Sequence, residues 1–375
     1  MKKKLLSLVM ASAMSLSLVA GCGSTGAKDT GAQADTKTEA KEETKADAAT
    51  EESAEATEEE ASNGGETVKI ICGYGAGGTA DLVARTYAKT ANSLQSDYNF
   101  VVENMTGGDG FAAATFFADE DPGEKDLLVF GYGLCYRHDL GKEFGTEEVD
   151  FDRTAMKPIG TVDDRTWIVY TTPDQSLQSI MDKAKSEGIK MSGGNPLSDC
   201  HLELGSLMAL EGGKVMVVSG YEGGAEQKQG LVNGEVDVFV GTTQAAKDEV
   251  EAGTLIPILA ISDKAFEGFV TPDGPITVPT VAGDAKAPEL TADTDFSSCI
   301  LPAGGTLAVH NGADDKFYSD MTDIMKKVWE NEEYYGWIES VMLNNFQVYG
   351  DDAQKFMDDA CSKAITAYGN LSGNQ

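Results

Sequence analysis

The stretch that decides the fold is residues 68–85, VKIICGYGAGGTADLVAR. It consists of β-forming residues, a glycine-rich turn and a segment with helical periodicity, which predicts a strand–turn–helix unit. Gly73, Gly75 and Gly78 satisfy the G-x-G-x-x-G spacing typical of a dinucleotide site, and Glu103 follows where a ribose-binding acid would stand. The same backbone also offers unpaired N–H groups at a helix N-terminus, which bind small anions of any kind.

The first 22 residues, MKKKLLSLVMASAMSLSLVAGC, favour the anion interpretation. Three lysines precede an apolar stretch that is short and rich in small residues, which predicts an export signal rather than a membrane span. Its end resembles a bacterial lipobox, so we expect acylation at Cys22 and anchoring to the outer face of the cell membrane. An ordinary secretory signal with a chance cysteine is the alternative. Outside the cell there is no supply of a nicotinamide cofactor, and we expect no cofactor.

Residues 23–66 form a predicted acidic tether. The segment contains no aromatic and no large aliphatic residue, and its 13 acids and 4 lysines give a net charge of −9. Such a chain cannot bury enough apolar surface to offset the entropy of ordering, so we expect disorder. A functional acidic tail is the alternative interpretation.

The remaining 309 residues, 67–375, are enough for two lobes of ordinary domain size. The whole chain has a formal net charge of −33 and only four arginines. Because such a chain offers no basic patch, we expect no binding of nucleic acid. No hydrophobic stretch after Cys22 is long enough to cross a membrane, so membrane contact is expected through the lipid anchor only.

The five cysteines after Cys22 are widely separated, and none forms a C-x-x-C pair. This spacing does not resemble a zinc site, and we expect no metal. We interpret these cysteines as mostly buried small apolar residues.

Strand-like runs alternate with helical patterns from residue 68 to about residue 262. Repeated βα units predict an α/β protein with parallel sheets and helices on both faces. A charge-rich segment after Gly133 predicts a loop, and so do the prolines and glycines of residues 269–290. Helices are predicted over 79–94, 200–211, 224–233, 244–252, 314–330 and 351–368.

Several segments together resemble one family. GYGAGGTADLVAR (73–85), FVVENMTGGDGFAAA (100–114) and SDCHLELG (198–205) occur in order, followed by the strongest match, residues 221–262. They resemble the solute receptors of tripartite tricarboxylate transporters, the Bug or TctC family, over essentially all of the mature chain. The first loop departs from the family pattern, since Gly73 and Ala76 stand where prolines are usual.

The resemblance implies a two-lobed, periplasmic-binding-protein-like fold of type II with a double crossover hinge. We expect crossovers near Asp164 and near Pro288, with lobe one formed by residues 67–164 plus 289–375 and lobe two by residues 165–288. The implied function is capture of a small carboxylate or zwitterionic solute between the lobes. The implied partners are the large and small membrane subunits of the transporter, and no enzymatic activity is expected.

The predicted solute-binding residues lie in loops that follow strands, where open α/β sheets bind ligands. Asp81 is either a helix-capping residue or an acceptor for the solute, Tyr132 either a cleft wall or a core residue, and His201 is left open in the same way. The predicted set is Tyr74, Gly75, Ala76, Gly77, Gly78, Thr79, Asp81, Gly108 and Tyr132 from lobe one, and Ser198, Tyr221, Gly223 and Thr242 from lobe two.

Two rival functions remain at this stage. A binding protein of an ABC-type importer would share the two-lobed architecture. A dinucleotide-binding or hydrolytic enzyme is the rival from another class, but no G-x-S-x-G elbow occurs, and Ser198 and His201 are near each other only in sequence.

Overall fold

The computed structural model describes residues 63–221 and 223–373. The predicted signal peptide, the predicted acylation site Cys22 and most of the predicted tether lie outside these residues. The tether was expected to reach Glu66, but the chain is already fixed at Asn63, whose side-chain amide donates to the carbonyls of Gln95 (3.1 Å) and Tyr98 (2.8 Å). Residues 63–66 therefore belong to the folded protein.

Strands and helices alternate along the described chain. The strands are β1 (Glu66–Cys72), β2 (Tyr98–Asn104), β3 (Leu127–Gly131), β4 (Met156–Asp164), β5 (Trp167–Thr171), β6 (Ile189–Ser192), β7 (Val215–Val218), β8 (Phe239–Gly241), β9 (Ile256–Ile261), β10 (Phe266–Thr271), β11 (Gly274–Val278) and β12 (Gly304–His310). The helices are α1 (Thr79–Leu94), α2 (Phe111–Asp119), α3 (Tyr132–Phe144), α4 (Leu177–Ser186), α5 (Asp199–Leu210), α6 (Gly224–Val232), α7 (Lys247–Glu251), α8 (Asp315–Trp329), α9 (Glu332–Ser340) and α10 (Gly350–Gly373). The bounds predicted for α1 are confirmed.

Lobe one is built on a five-stranded sheet in the order β2-β1-β3-β12-β4. Successive residues of β1 point to opposite faces of this sheet. On one face Ile70 packs in a core with Val83 and Tyr87 of α1. On the other face Ile71 packs in a second core with Phe117 of α2. Helices therefore cover both faces, as the sequence predicts.

Lobe two contains the sheet β8-β5-β9 and the parallel pair β6-β7, which a bridge between Met191 and Val238 connects to it. β5 is antiparallel to both of its neighbours, and in lobe one β12 is antiparallel to both of its own. The prediction of parallel sheets is thus wrong for these two strands. Each of them follows a crossover, so it enters its sheet at the end where the neighbouring strands finish.

The two crossovers lie side by side, since the Arg165 N–H donates to the Ala303 carbonyl (2.9 Å). The first crossover connects β4 to β5. The second is later than the expected position near Pro288. Phe296 and Cys299 still pack in the core of lobe two, whereas Leu301 packs in the core of lobe one. The chain therefore crosses at about residue 300.

Two predicted loops are regular structure instead. The charge-rich segment after Gly133 is α3, whose polar residue Arg137 is buried because Glu147 pairs with it (2.8 Å). The proline- and glycine-rich segment contains the hairpin β10-β11, with Phe269 and Val278 buried in lobe two. In both cases a tertiary contact outweighs the local composition.

Candidate functional site between the lobes

The glycine-rich turn, residues 73–78, joins the carboxyl end of β1 to α1. Gly77 has φ +77°, a conformation that residues with a Cβ rarely adopt, which explains the glycine at this position. Its N–H donates to Oδ2 of Asp81 (2.8 Å), so the first turn of α1 holds the loop in place. Residues 75–78 are exposed to solvent.

Asp81 is 1% exposed, and its carboxylate is engaged inside lobe one. Besides the Gly77 N–H, it accepts hydrogen bonds from Arg85 Nε (3.1 Å) and Asn104 Nδ2 (2.8 Å). Burial opposes its ionisation, but the hydrogen bonds outweigh burial and hold the pKa of Asp81 below its usual value. These contacts favour the structural alternative for Asp81, which is to organise the loop.

The N-terminus of α1 has no side-chain cap. Its N-cap residue is Gly78, and the first helical hydrogen bond runs from the Leu82 N–H to the Gly78 carbonyl (2.9 Å). The N–H groups of residues 79–81 precede that bond and lack a carbonyl partner within the helix. Together with the positive end of the helix dipole, they make this end of α1 suited to an anion. The predicted residues around it are Tyr74, Gly75, Ala76, Gly77, Gly78 and Thr79.

Residues 106–110 form a second glycine-rich turn after β2. Gly107, Gly108 and Gly110 have positive φ, and so does Asp109 (φ 56°), where this conformation is strained. Arg137 holds the turn, because its Nη1 donates to the Gly108 carbonyl (2.9 Å) and lies 3.7 Å from the Asp109 carboxylate. The turn thus presents the carboxylate of Asp109, a residue whose backbone is held in an unusual conformation.

Tyr74 connects the two turns to β3. Its hydroxyl accepts a hydrogen bond from the Gly131 N–H (3.3 Å), and a Cβ built on Gly110 would lie 3.4 Å from the same oxygen. Tyr132, a predicted cleft residue, is 2% exposed and accepts a hydrogen bond from the Thr306 hydroxyl (2.9 Å). The structure therefore corrects its assignment as a cleft wall and places it in the core of lobe one, because it is the first residue of a buried helix.

Lobe two contributes two further uncapped helix N-termini, α5 after Ser198 and α6 after Gly223. Thr242, which follows β8, is 5% exposed, and its hydroxyl has no partner among the described residues. Tyr221 differs from these predicted residues, because its hydroxyl donates to Glu235 Oε2 within lobe two (2.8 Å). Its polar end is therefore already occupied.

The lobes approach each other at Asp199, the first residue of α5. A Cβ built on Gly133, at the start of α3, would lie 3.3 Å from the carboxyl carbon of Asp199. Burial, followed by the charge of Asp109, raises the pKa of Asp199 to about 6, although the Cys200 N–H and Arg165 oppose the rise. Asp199 thus faces charged groups of lobe one.

Arg165, in the first crossover, is a site residue that the sequence interpretation missed. Its Nε and Nη2 bind Asp163 at 2.5 Å and 3.2 Å, while Nη1 makes no hydrogen bond with any residue that the structure describes. Its charge acts on both Tyr74 and Asp199. A signal was present, since Arg165 is one of four arginines and follows two aspartates at the predicted crossover.

His201 and Glu203 follow Asp199 in α5 by two and four residues. Neither ring nitrogen of His201 has a hydrogen-bond partner among the described residues, and burial lowers its pKa to about 4. Ser198 Oγ contacts Cys200 Sγ (3.4 Å), so no Ser–His pair is formed. Glu203 Oε1 accepts a hydrogen bond from the Leu301 N–H (2.7 Å), which connects α5 to the second crossover.

Within the described residues, no group of three or more His, Cys, Asp or Glu side chains is arranged to hold a metal ion, and the five cysteines there are free and buried. None of the helices in this part of the chain combines the length and apolar character of a membrane span. One surface depression lies beside Leu94 and another between Gln244 and Met342, and the residues discussed above do not line either of them.

No protein-family model matches the chain, and no curated protein matches its sequence. Solved structures do match. A TctC solute-binding protein from Polaromonas, solved without ligand, has a TM-score of 0.57 at 16% identity, over 82% of this chain and 98% of its own. An R. palustris protein solved with adipate has a TM-score of 0.65 at 15% identity, over 82% and 97%. MatC from Rhodopseudomonas palustris, solved with malate, has a TM-score of 0.58 at 18% identity, over 83% and 97%.

At this level of identity the likenesses concern the fold. They confirm an α/β architecture of the periplasmic-binding-protein type, with two lobes connected by crossovers. The resemblance inferred from residues 73–85, 100–114, 198–205 and 221–262 is thereby confirmed at the level of structure. The chain has the fold of the TctC solute-binding proteins.

Proposed function

We propose that the protein is an extracytoplasmic solute-binding lipoprotein that captures a small carboxylate-bearing solute between its lobes. It delivers the solute to the large and small membrane subunits of a tripartite tricarboxylate-type transporter. The observation that carries this proposal is the uncapped N-terminus of α1 behind an exposed glycine-rich turn. Its N–H groups and helix dipole suit a carboxylate without requiring a basic side chain.

Groups on lobe two support the proposal that the solute is bound from two sides. The N-termini of α5 and α6 and the Thr242 hydroxyl belong to lobe two, whereas the glycine-rich turns belong to lobe one. A solute that contacts both rims favours the closed arrangement of the lobes by its differential affinity for that state. Malate and adipate, found in two neighbours of the same fold, are small carboxylates and are compatible with such a site.

Catalysis is disfavoured by the same residues. Ser198 and His201 do not form a hydrogen bond, and the low pKa of His201 follows from burial rather than from a partner that would activate it. A nicotinamide site is disfavoured because the Asp81 carboxylate already holds the glycine-rich turn, and because the chain is expected to act outside the cell.

An ABC-type importer remains the second candidate, since its binding proteins use the same architecture. An ATPase gene next to the gene for this protein would favour the ABC-type importer. Neighbouring genes for a large and a small membrane subunit would favour the tripartite system.

A thermal-shift screen of carboxylates and amino acids tests solute capture. A compound present at 100 times its Kd stabilises the native state by about 2.7 kcal/mol, so at least one member of the panel is expected to raise the melting temperature by several degrees. NADH belongs in the same panel. A response to NADH alone, or no response at all, would refute the proposal.

The glycine-rich turn is tested by Gly78→Val. The backbone at Gly78 (φ −74°, ψ 164°) is accessible to valine, but the new Cβ would lie 3.1 Å from the Gly75 carbonyl and beside the α1 N–H groups. We expect at least about a tenfold loss of affinity, or 1.4 kcal/mol, for the compound with the largest shift. Gly336→Val is the matched control, because Gly336 lies exposed on α9 with no atom within 4 Å of an added Cβ. Equal affinities in the two variants would remove the turn from the site.

Anchoring is tested separately at Cys22. Cys22→Ala should abolish incorporation of labelled fatty acid and release the protein from the membrane fraction. Membrane association that persists in this variant would contradict the lipoprotein assignment, without affecting solute capture.

A further inference from the structure

Charged groups from both lobes lie near Tyr74. A Cβ built on Gly110, the residue after Asp109, would lie 3.4 Å from the Tyr74 hydroxyl. The Gly131 N–H donates to the same hydroxyl (3.3 Å), and a Cβ built two residues later, on Gly133, would lie 3.3 Å from the carboxyl carbon of Asp199.

The charges of Asp109 and Asp199 both act on the Tyr74 hydroxyl and, after burial, raise the pKa of Tyr74 well above its ordinary value, while Arg165 opposes this. Asp109 comes from the second glycine-rich turn of lobe one, and Asp199 from the start of α5 in lobe two. A solute between the glycine-rich turns and α5 therefore meets two carboxylates from opposite sides.

The positive charges nearby are already used. Arg165 forms two hydrogen bonds with Asp163, which is fully buried. Arg137 forms two hydrogen bonds with Glu147 and is farther, at 3.7 Å, from Asp109. The site between the lobes consequently has an excess of negative charge, which a second carboxylate on the solute would increase.

An independent observation from lobe two is a buried hydroxyl without a partner. Thr242 is 5% exposed, yet its hydroxyl makes no hydrogen bond within the described residues. Thr242 directly follows β8, one position beyond the paired residues Ile168 and Gly241. Alternation along the strand places it on the sheet face of Val240, whose core includes Cys200 of α5.

We infer that the solute carries an ammonium group as well as a carboxylate, and that Asp109 and Asp199 hold the ammonium group from opposite lobes. The inference rests on the proposed function and specifies its substrate class: a small zwitterion such as an amino acid. The carboxylate binds at the N-terminus of α1, with Nη1 of Arg165 as a further donor, and the Thr242 hydroxyl is a further acceptor for the ammonium group.

The energetics of Asp199 agree with this assignment. The residue is half-buried, and its carboxylate accepts one hydrogen bond among the described residues, from the Cys200 N–H (2.9 Å). A carboxylate that is removed from water without a full set of donors disfavours ionisation. An ammonium group supplies three donors and a compensating charge. A dicarboxylate supplies neither and adds like-charge repulsion, so the two aspartates select against it as well as for a zwitterion.

Matched pairs of compounds provide the test, measured by isothermal titration calorimetry on the full chain. The pairs are alanine and propionate, valine and isovalerate, aspartate and succinate, and glutamate and glutarate. In the pair that binds, we expect the amino acid to bind at least about tenfold more tightly than the compound without the amine, since close charge pairs at interfaces commonly contribute more than 1.4 kcal/mol.

Asp109→Asn and Asp199→Asn should each weaken binding of the amino acid by about tenfold or more and that of its amine-free partner by less than about threefold. Asp182→Asn, on the exposed surface of α4, is the matched control and should change neither. Tighter or equal binding of an amine-free acid would overturn this inference while the proposed function stands. Unchanged amino-acid affinity in both site variants would also overturn it. If no compound of any pair binds, and no compound of the wider carboxylate panel binds either, both this inference and the proposed function are overturned.

Discussion

The N-termini of α1 and α5 are alike in position and opposite in their electrostatics. Each helix begins after a strand and a turn, and each has an aspartate in its first turn. Asp81 accepts hydrogen bonds from Gly77, Arg85 and Asn104, which lower its pKa against the effect of burial. Asp199 accepts one from its neighbouring N–H, and burial raises its pKa to about 6.

The difference indicates a division of work between the lobes. Lobe one satisfies its own aspartate, so its glycine-rich turn is preorganised before the solute arrives and little ordering entropy is lost on binding. Lobe two leaves Asp199 and the Thr242 hydroxyl without full partners, which lowers stability where binding is proposed to occur.

Asp81→Ala should have the largest effect on stability. It removes three hydrogen bonds and deprives Arg85 and Asn104 of one partner each, although these two side chains still bind each other (2.9 Å). We therefore expect a loss of about 3 kcal/mol in the free energy of unfolding. Urea denaturation measures it, with the exposed Asp182→Ala as control. A loss below about 0.5 kcal/mol would show that the loop does not depend on Asp81.

Asp199→Asn should change the pH dependence of stability in the absence of solute. The folded-state pKa of Asp199, about 6, is above its ordinary value of 3.8, so the folded state binds the proton more tightly than the unfolded state. The penalty is absent below about pH 4 and grows as pH rises through 6, reaching about 1–3 kcal/mol. The variant should therefore be more stable than the wild type at neutral pH and equal to it in acid, as thermal unfolding across this range will show. A variant less stable at neutral pH would contradict the assignment.

Thr242→Val should separate stability from binding. Valine has nearly the shape of threonine and removes a buried hydroxyl that lacks a partner, so stability should rise by up to about 1 kcal/mol. Solute affinity should fall, by about tenfold if the hydroxyl binds the solute directly. Calorimetry and urea denaturation of the same preparation measure both quantities. Unchanged affinity would remove Thr242 from the site.

Tyr221→Phe should have the smallest effect. The hydroxyl of Tyr221 is paired with Glu235 at the surface of lobe two, and one such bond contributes about 0.5 kcal/mol. We expect solute affinity to stay within about twofold of the wild type. A tenfold loss would show instead that Tyr221 turns towards the solute on binding, as its place in the sequence pattern suggests.

Local signals were sufficient for much of the fold. The glycine-rich turn and the helical spacing of the apolar residues after it predicted both ends of α1. The alternation of strands and helices indicated the two-lobed class. Strand direction could not be inferred in this way, because β5 and β12 are reversed by the crossovers that precede them. α3 could not be inferred either, since Arg137 is buried by a contact with Glu147 that local composition does not reveal.

The candidate site divides in the same manner. The backbone donors after β1 could be predicted, because glycine and a helix start define them locally. The charges could not: Asp109, Arg165 and Asp199 come together only when the two crossovers bring the lobes face to face. The scarcity of arginines argues against nucleic acid as a partner, but it does not identify Arg165 as a donor in the site.

Hydrogen–deuterium exchange tests the central claim most directly. The account predicts that the solute with the largest thermal shift slows exchange in two separate peptides, one covering residues 74–82 and one covering residues 197–203. Protection of both peptides at once, lost in Gly78→Val, is the expected result. Protection confined to one lobe, or found in neither peptide at saturating solute, would contradict capture between the two helix N-termini.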